Sequence, residues 1–294
     1  MAENSKIEWC DHTFNPWEGC QKVGPGCDNC YAETRNARFG GGVAVNWGPG
    51  APRRRTSAAN WRQPLAWERG HSDFTTLHNR RQRVFCASLA DVFDNEAPAA
   101  WRAELFALIG LTPHLDWLLL TKRIGNVPKM MDQPGMPKDG MPANVWLGAT
   151  VVNQEEADRD IPKLLAVPAR VRFLSIEPML GPVDLGAVWV PNVVLRNMVM
   201  AIYRLDWVIC GGESGPKARP MQREWARSLR DQCESAGVPF LFKQWGEWRP
   251  TITGEGAIGA QIKWADGSVS IRAGKKLAGR RLDGLTHDQF PESV

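Results

Sequence analysis

Three cysteines carry the sharpest chemical signal in this chain: Cys20, Cys27 and Cys30, in the pattern Cys-x6-Cys-x2-Cys. A Cys-x2-Cys pair brings two thiolates to one metal centre from a single turn. Gly24-Pro25-Gly26, just before Cys27, suits a loop that wraps an ion or a cluster. Tyr31-Ala32-Glu33, just after Cys30, begins a helical stretch whose N-terminal N–H groups would face that centre. Three ligands leave one metal position open, as catalytic centres do. Two chemistries fit the spacing. One is an iron–sulfur cluster on the three thiolates. The other is a structural zinc ion, completed by Cys10 or by His12. Cys86, Cys210 and Cys233 lie in apolar runs or on a helical face and read as buried, inert thiols.

A second set of candidates stands at the ends of apolar runs. Ser88 and Asp91 follow Arg83–Ser88, and Thr121-Lys122-Arg123 ends Asp116–Lys122. Thr150 ends Val145–Thr150, while Ser175 and Glu177 end Val171–Glu177. Gly211-Gly212-Glu213 follows Asp206–Gly211, and Lys243-Gln244 ends Pro239–Gln244. Continuous apolar runs of this length predict strands buried on both faces, as in parallel sheets. Helical spacing separates most of them, over Ala99–Gly110, over Asn153–Leu165 with Asn153 as N-cap, and over Gln222–Gly237 with Gly237 as C-cap. With a further strand near Ile7-Glu8-Trp9, the count is about six or seven. Strand alternating with helix predicts an α/β fold, a partial or full TIM-type (β/α) barrel of parallel strands. In such barrels the site lies on the loops after the strands, which is where the polar tips fall.

Two stretches read as insertions in a barrel spanning residues 1–248: about 40–83, rich in Gly, Arg and Trp, and about 186–205, which is apolar. Residues 249–294 read as a C-terminal extension packed on the barrel, with a hairpin turning at Asp266-Gly267. Arg53-Arg54-Arg55 and Arg80-Arg81, near Trp61 and Trp67, fit either a phosphate-and-stacking surface or plain solvated arginines. The net charge of +4 permits a nucleic-acid partner without demanding one. No apolar run spans a bilayer, and Met1–Lys6 lacks the apolar stretch of a signal peptide. The expectation is a cytoplasmic protein with reduced cysteines.

The chain resembles the phage Gp37/Gp68 family. The resemblance is carried by Thr13-Phe14-Asn15-Pro16-Trp17-x-Gly19-Cys20, Gly26-Cys27-x-x-Cys30-Tyr31-Ala32-Glu33, Thr121-Lys122-Arg123, Ser175-x-Glu177-Pro178, Gly211-Gly212-Glu213-Ser214-Gly215, Lys243-Gln244-Trp245-Gly246 and Gly274-Lys275-Lys276. That family in turn resembles divergent radical S-adenosylmethionine enzymes of the spore photoproduct lyase-like group. The resemblance implies a 4Fe–4S cluster on Cys20, Cys27 and Cys30, S-adenosylmethionine on the open iron, and a 5′-deoxyadenosyl radical that abstracts hydrogen from the substrate. It further implies an electron donor and a nucleic acid or nucleotide as substrate. Asp91, Lys122 and Glu177 are the catalytic candidates. Ser88, Thr121, Thr150, Ser175, Gly211, Gly212 and Glu213 are the candidates for holding the cofactor. Two features depart from the superfamily pattern: the first cysteine gap is six residues instead of three, and Gly-Gly-Glu follows a late strand instead of the second. The other reading is a non-catalytic nucleic-acid-binding barrel stabilised by zinc or a cluster. A hydrolytic metal site built from Asp91 and Glu177 would want more imidazole than five histidines provide.

Overall fold

The computed structural model describes residues 4–138, 140–192, 194–251 and 259–292. Met1–Glu3 of the N-terminus and part of the extension expected over 249–294 lie outside these. Seven strands form one sheet: β1 (His12–Phe14), β2 (Gln82–Cys86), β3 (Leu115–Thr121), β4 (Val145–Thr150), β5 (Val171–Ile176), β6 (Trp207–Gly211) and β7 (Phe240–Gln244). They lie side by side in chain order, and every pairing is parallel. This is a mixed α/β fold with a curled half-barrel sheet, a partial TIM-type barrel. Among the described residues no helix is long and apolar enough to cross a membrane.

The longer helices are α1 (Tyr31–Phe39), α2 (Gln63–Arg69), α3 (His71–His78), α4 (Ala99–Gly110), α5 (Gln154–Ala166) and α6 (Arg223–Ala236). At the start of α5 the Asn153 side chain accepts from the Glu156 amide at 2.9 Å, and the Glu156 carboxylate accepts from the Val152 amide at 3.0 Å. That reciprocal capping fixes where the helix begins. Gly237 ends α6 at φ +67°, a left-handed conformation that glycine adopts without strain.

Alternate residues of each strand face opposite sides of the sheet. One set, including Val84, Trp117, Leu119, Leu147, Leu174, Val208 and Phe242, packs with α4, α5 and α6 in the outer core. The other set, Phe85, Leu118, Trp146, Phe173, Trp207, Ile209 and Leu241, forms a separate inner cluster. A half-barrel has no opposite wall to cover this inner face. The chain covers it with its own ends: Ile7, Trp9 and Cys10 from one side and Phe290 from the other. Trp9 lies 4.4 Å from Phe85, centroid to centroid, and Phe290 lies 5.0 Å from Trp207. Ile7-Glu8-Trp9 is therefore not the expected strand. The first strand starts at His12, and the apolar residues before it plug the barrel interior.

The insertion before β2 carries α2 and α3, and its short strand Arg54–Arg55 pairs antiparallel with Trp17–Glu18. The later apolar stretch forms a hairpin, Trp189–Asn192 with Asn197–Met200. After β7 a small antiparallel sheet holds Val269–Arg272 between Trp248–Thr251 and Gln261–Lys263. The tail then lies along β7, with the Phe242 amide donating to the His287 carbonyl at 3.0 Å, so the sheet edge is not left open.

The arginines singled out by sequence are all paired with carboxylates, from the buried Arg53 to the exposed Arg54. Arg53 is fully buried against Asp94. Arg54 pairs with Glu18, and Arg55 pairs with Glu104 and stacks on Trp61. Arg80 pairs with Asp11, and Arg81 with Asp116. Trp67 is buried and stacks on His12 at 4.2 Å.

Candidate functional site

The inner face changes character along the strands. Below lie the aromatic rings of the plug. Above them, continuing the alternation, stand Gly148, Thr150, Ser175, Glu177, Gly211 and Lys243. Small and polar residues at the C-terminal end over an aromatic floor leave a polar hollow where a (β/α) barrel places its chemistry. A side chain at Gly148 would strike the Phe173 ring at 2.3 Å, so the floor rises to that level.

The cysteine loop lies over this end. Gly24 and Gly26 have no room for a Cβ: one would meet Glu156 Oε1 at 2.6 Å, the other Val152 Cγ1 at 2.8 Å. The loop thus rests directly on the ends of β4 and its following turn. Pro25–Cys27 makes one helical turn and Cys30 occupies the N-cap of α1. Burial pushes the Cys30 thiol up, while the Glu33 and Ala32 amides and the Lys122 ammonium favour its thiolate. Cys20 stands beside the loop after β2, where the Gly19 amide donates to the Leu89 carbonyl at 3.1 Å. Burial and the nearby Asp91 carboxylate push its thiol up to about 12, and Arg123 Nη1 donates to its sulfur at 3.3 Å.

Each expected site residue has a definite place. Asp91 is saturated: it accepts from the Phe93 amide, the Thr121 hydroxyl at 2.7 Å, the Lys122 amide at 3.0 Å and Arg123 at 3.2 Å. Asp91 and Thr121 therefore hold Arg123, which they aim at Cys20. Ser88 bonds to Asn15 at 3.0 Å, and its carbonyl accepts from the Tyr31 hydroxyl, so it ties β2 to the cysteine loop. Glu177 accepts from Lys243 at 2.8 and 2.9 Å and from Gln244 at 3.1 Å. The Gly211 Cα sits against this carboxylate, with 3.1 Å left for a Cβ. At Gly212 a Cβ would lie 2.0 Å from the Trp245 carbonyl, so two backbones cross there.

Glu213 faces the cysteine loop. Arg219 engages both its oxygens, at 2.6 and 2.9 Å, and Asn29, between Cys27 and Cys30, donates to it at 3.0 Å. Arg219 also reaches Asp28 at 3.1 Å and the Pro25 carbonyl at 2.8 Å. Although buried, the Glu213 carboxyl is held below its usual range by these partners. The Gly-Gly-Glu segment is thus a latch on the loop. Arg219→Gln is expected to cost about 1–3 kcal/mol, the range for stranding a buried hydrogen-bonded group. It should also speed amide exchange over residues 24–30, measured by mass spectrometry; unchanged exchange would deny the latch.

Lys122, Thr150 and Cys27 line one crevice, with Glu156 and Arg159 at its side. The Thr150 hydroxyl is buried without a hydrogen-bond partner, as is Gln244 Oε1 beside Glu177. The Lys122 ammonium makes no hydrogen bond or ion pair with any described residue. The Thr150 hydroxyl and the Lys122 ammonium on one crevice call for a polar ligand there. The three sulfurs do not all fall within 4.8 Å of one another. Nor do the expected fourth ligands converge. His12 bonds through Nε2 to Gln82 at 2.7 Å and stacks on Trp67. Cys10 lies in the inner cluster, where burial pushes its thiol up to about 12.

Sequence reasoning assigned no role to Asn29 or Arg219, and it noted Arg123, Lys243 and Gln244 only as strand tips. Apart from Glu213, six residues from Arg219, the hydrogen-bond partners of these side chains lie 30 to 194 residues away, and no local pattern announces such pairing.

The family described as protein of unknown function, DUF5131, matches residues 4–291, and the chain belongs to that family. No curated protein matches. Among solved structures, a cysteine-to-alanine mutant of spore photoproduct lyase with dinucleoside spore photoproduct is similar at 10% identity and a TM-score of 0.37, covering 89% of this chain and 68% of that one.

Proposed function

We propose that this member of the DUF5131 family is a radical S-adenosylmethionine enzyme that acts on a nucleic acid or a nucleotide, as its sequence likeness to the phage Gp37/Gp68 proteins and the photoproduct lyase-like group implies. The observation that carries the reading is the placement of three thiols over the polar end of a parallel half-barrel, beside a stranded threonine hydroxyl and an unpaired lysine. Cys20, Cys27 and Cys30 would hold a 4Fe–4S cluster and leave one iron open. With S-adenosylmethionine bound, that group supplies reductive sulfonium cleavage and hydrogen-atom abstraction.

The chain's own residues do the rest. Arg123, fixed by Asp91 and Thr121, donates to the Cys20 sulfur and offsets its charge. Hydrogen bonds of this kind tune a cluster's potential. Lys122 supplies a cation for a carboxylate, and Thr150 and Ser175 supply hydroxyls at the strand ends. Glu177, bridged to Lys243, sets charge in the hollow, and the aromatic floor keeps water from below. Gly211 and Gly212 permit the close backbone approaches, and Glu213 holds the loop. An intracellular electron donor completes the proposal, with a cytoplasmic location to match.

The test is metal analysis on protein purified and reconstituted without oxygen. About four irons and four sulfides per chain are expected, with an absorbance that dithionite bleaches. Ser in place of Cys20, Cys27 or Cys30 should remove most of both, whereas Cys10→Ser should keep them. One tightly held zinc without sulfide would overturn the reading in favour of a non-catalytic binding scaffold.

A further inference from the structure

At the opposite end of the sheet, where β3 begins, a second set of ligands converges. Glu68 ends α2, His71 opens α3, and His114 immediately precedes β3. One ligand atom from each lies within 4.8 Å of the other two. The two imidazoles stack at 3.8 Å with 10° between their planes. The other bonds of this trio orient it. His71 Nδ1 donates to the Glu68 carbonyl at 2.7 Å, which fixes the tautomer and leaves on Nε2 a lone pair that the Ser72 hydroxyl reaches at 3.3 Å and that an ion would take over. A donor bond from the far ring nitrogen to a carbonyl is the usual support of a metal-ligating histidine. The Glu68 carboxylate is fixed by the His114 amide at 3.2 Å, with its other oxygen 2.5 Å from His114 Nδ1.

We propose that Glu68, His71 and His114 bind one divalent first-row transition ion, of which zinc is the natural probe. Two imidazoles and a carboxylate form a nitrogen-rich set that suits zinc, nickel or copper and not calcium or magnesium. Entry of the ion replaces the direct contact between Glu68 and His114 Nδ1. The site lies away from the polar hollow and from the cysteine loop. An ion there staples α2 and α3, both parts of the insertion, to the start of β3. Its role is structural, because the N-terminal face of a barrel carries stability and the C-terminal face carries chemistry.

The proposal is independent of the cysteine centre, and the experiment keeps the two apart. The full chain is titrated with zinc against a chromogenic chelator, as wild type, as His71→Ala, as Glu68→Gln, and as a triple Cys20→Ser, Cys27→Ser, Cys30→Ser variant. The triple variant should retain one zinc per chain. Wild type should bind one equivalent more than His71→Ala, and Glu68→Gln should weaken that equivalent by at least about 10-fold. His71 and Glu68 are only half-buried and His114 is exposed, so these substitutions leave the core intact. Equal stoichiometry and affinity in wild type and His71→Ala would overturn the site. Loss of all zinc in the triple variant, with its unfolding transition unchanged, would do so equally.

Discussion

Asp94→Ala should lower the unfolding free energy by about 3–5 kcal/mol, the largest stability loss expected of any single polar substitution here. Arg53 Nε bonds Asp94 at 2.6 Å, and neither side chain has any exposure to solvent. The remaining Arg53 bonds go to the Asn46, Gly48 and Ala51 carbonyls, which are dipoles and cannot neutralise it. Removing the carboxylate therefore leaves a buried charge without its counter-ion. Arg53→Leu should cost less. Asp94 would still have Arg123 at 3.8 Å and would keep its bond from the Glu96 amide. An Arg53→Met, Asp94→Leu double variant should recover much of the loss, since an apolar pair of similar volume avoids desolvating two charges. Guanidinium denaturation of the four proteins measures these differences. A loss below about 1 kcal/mol for Asp94→Ala would mean that water reaches the pair.

The same pair shows what sequence can and cannot disclose. The strands were legible because a parallel strand is covered on both faces. Val145–Thr150 and its fellows therefore appear as unbroken apolar runs, each within a residue or two of its observed bounds. The helix ends were legible because Asn153 and Gly237 act locally. Ile7-Glu8-Trp9 misleads, since an apolar plug and an apolar strand share a composition. Only the missing wall of the half-barrel explains why the plug is needed. Charge was least legible. Arg53 and Asp94 are 41 residues apart, Asn29 and Glu213 are 184 apart, and His114 lies 46 residues from Glu68. Residue type told that each could pair, but only the sheet order brings the partners together. The three cysteines stand within eleven residues of one another, so their spacing is visible in sequence, whereas Glu213, which holds their loop, lies 184 residues from Asn29.

Under the proposed radical S-adenosylmethionine function, Glu177→Gln should reduce cleavage of S-adenosylmethionine by about 100-fold, the scale of a misplaced reacting group, while cluster content stays near wild type. Glu177 is the one carboxylate among the expected site residues that faces the hollow without being saturated by the backbone. Its partners are Lys243 and Gln244, and the Oε1 atom of Gln244 is itself stranded. A purely structural ion pair would look similar in a single substitution, because a lone Lys243 is also costly. The pair is only slightly open to solvent, at 17% exposure for each side chain, so stranding either partner should cost about 2–3 kcal/mol, somewhat below the fully buried case. The double variant separates the roles. Glu177→Leu with Lys243→Met should restore stability toward wild type, since no charge is then left alone. Cleavage should remain low, because the hollow has lost the charge that orders its ligand. Recovery of both stability and cleavage in the double variant would show that the pair only supports the fold, and the chemistry would then have to rest on Lys122 and Thr150 across the hollow.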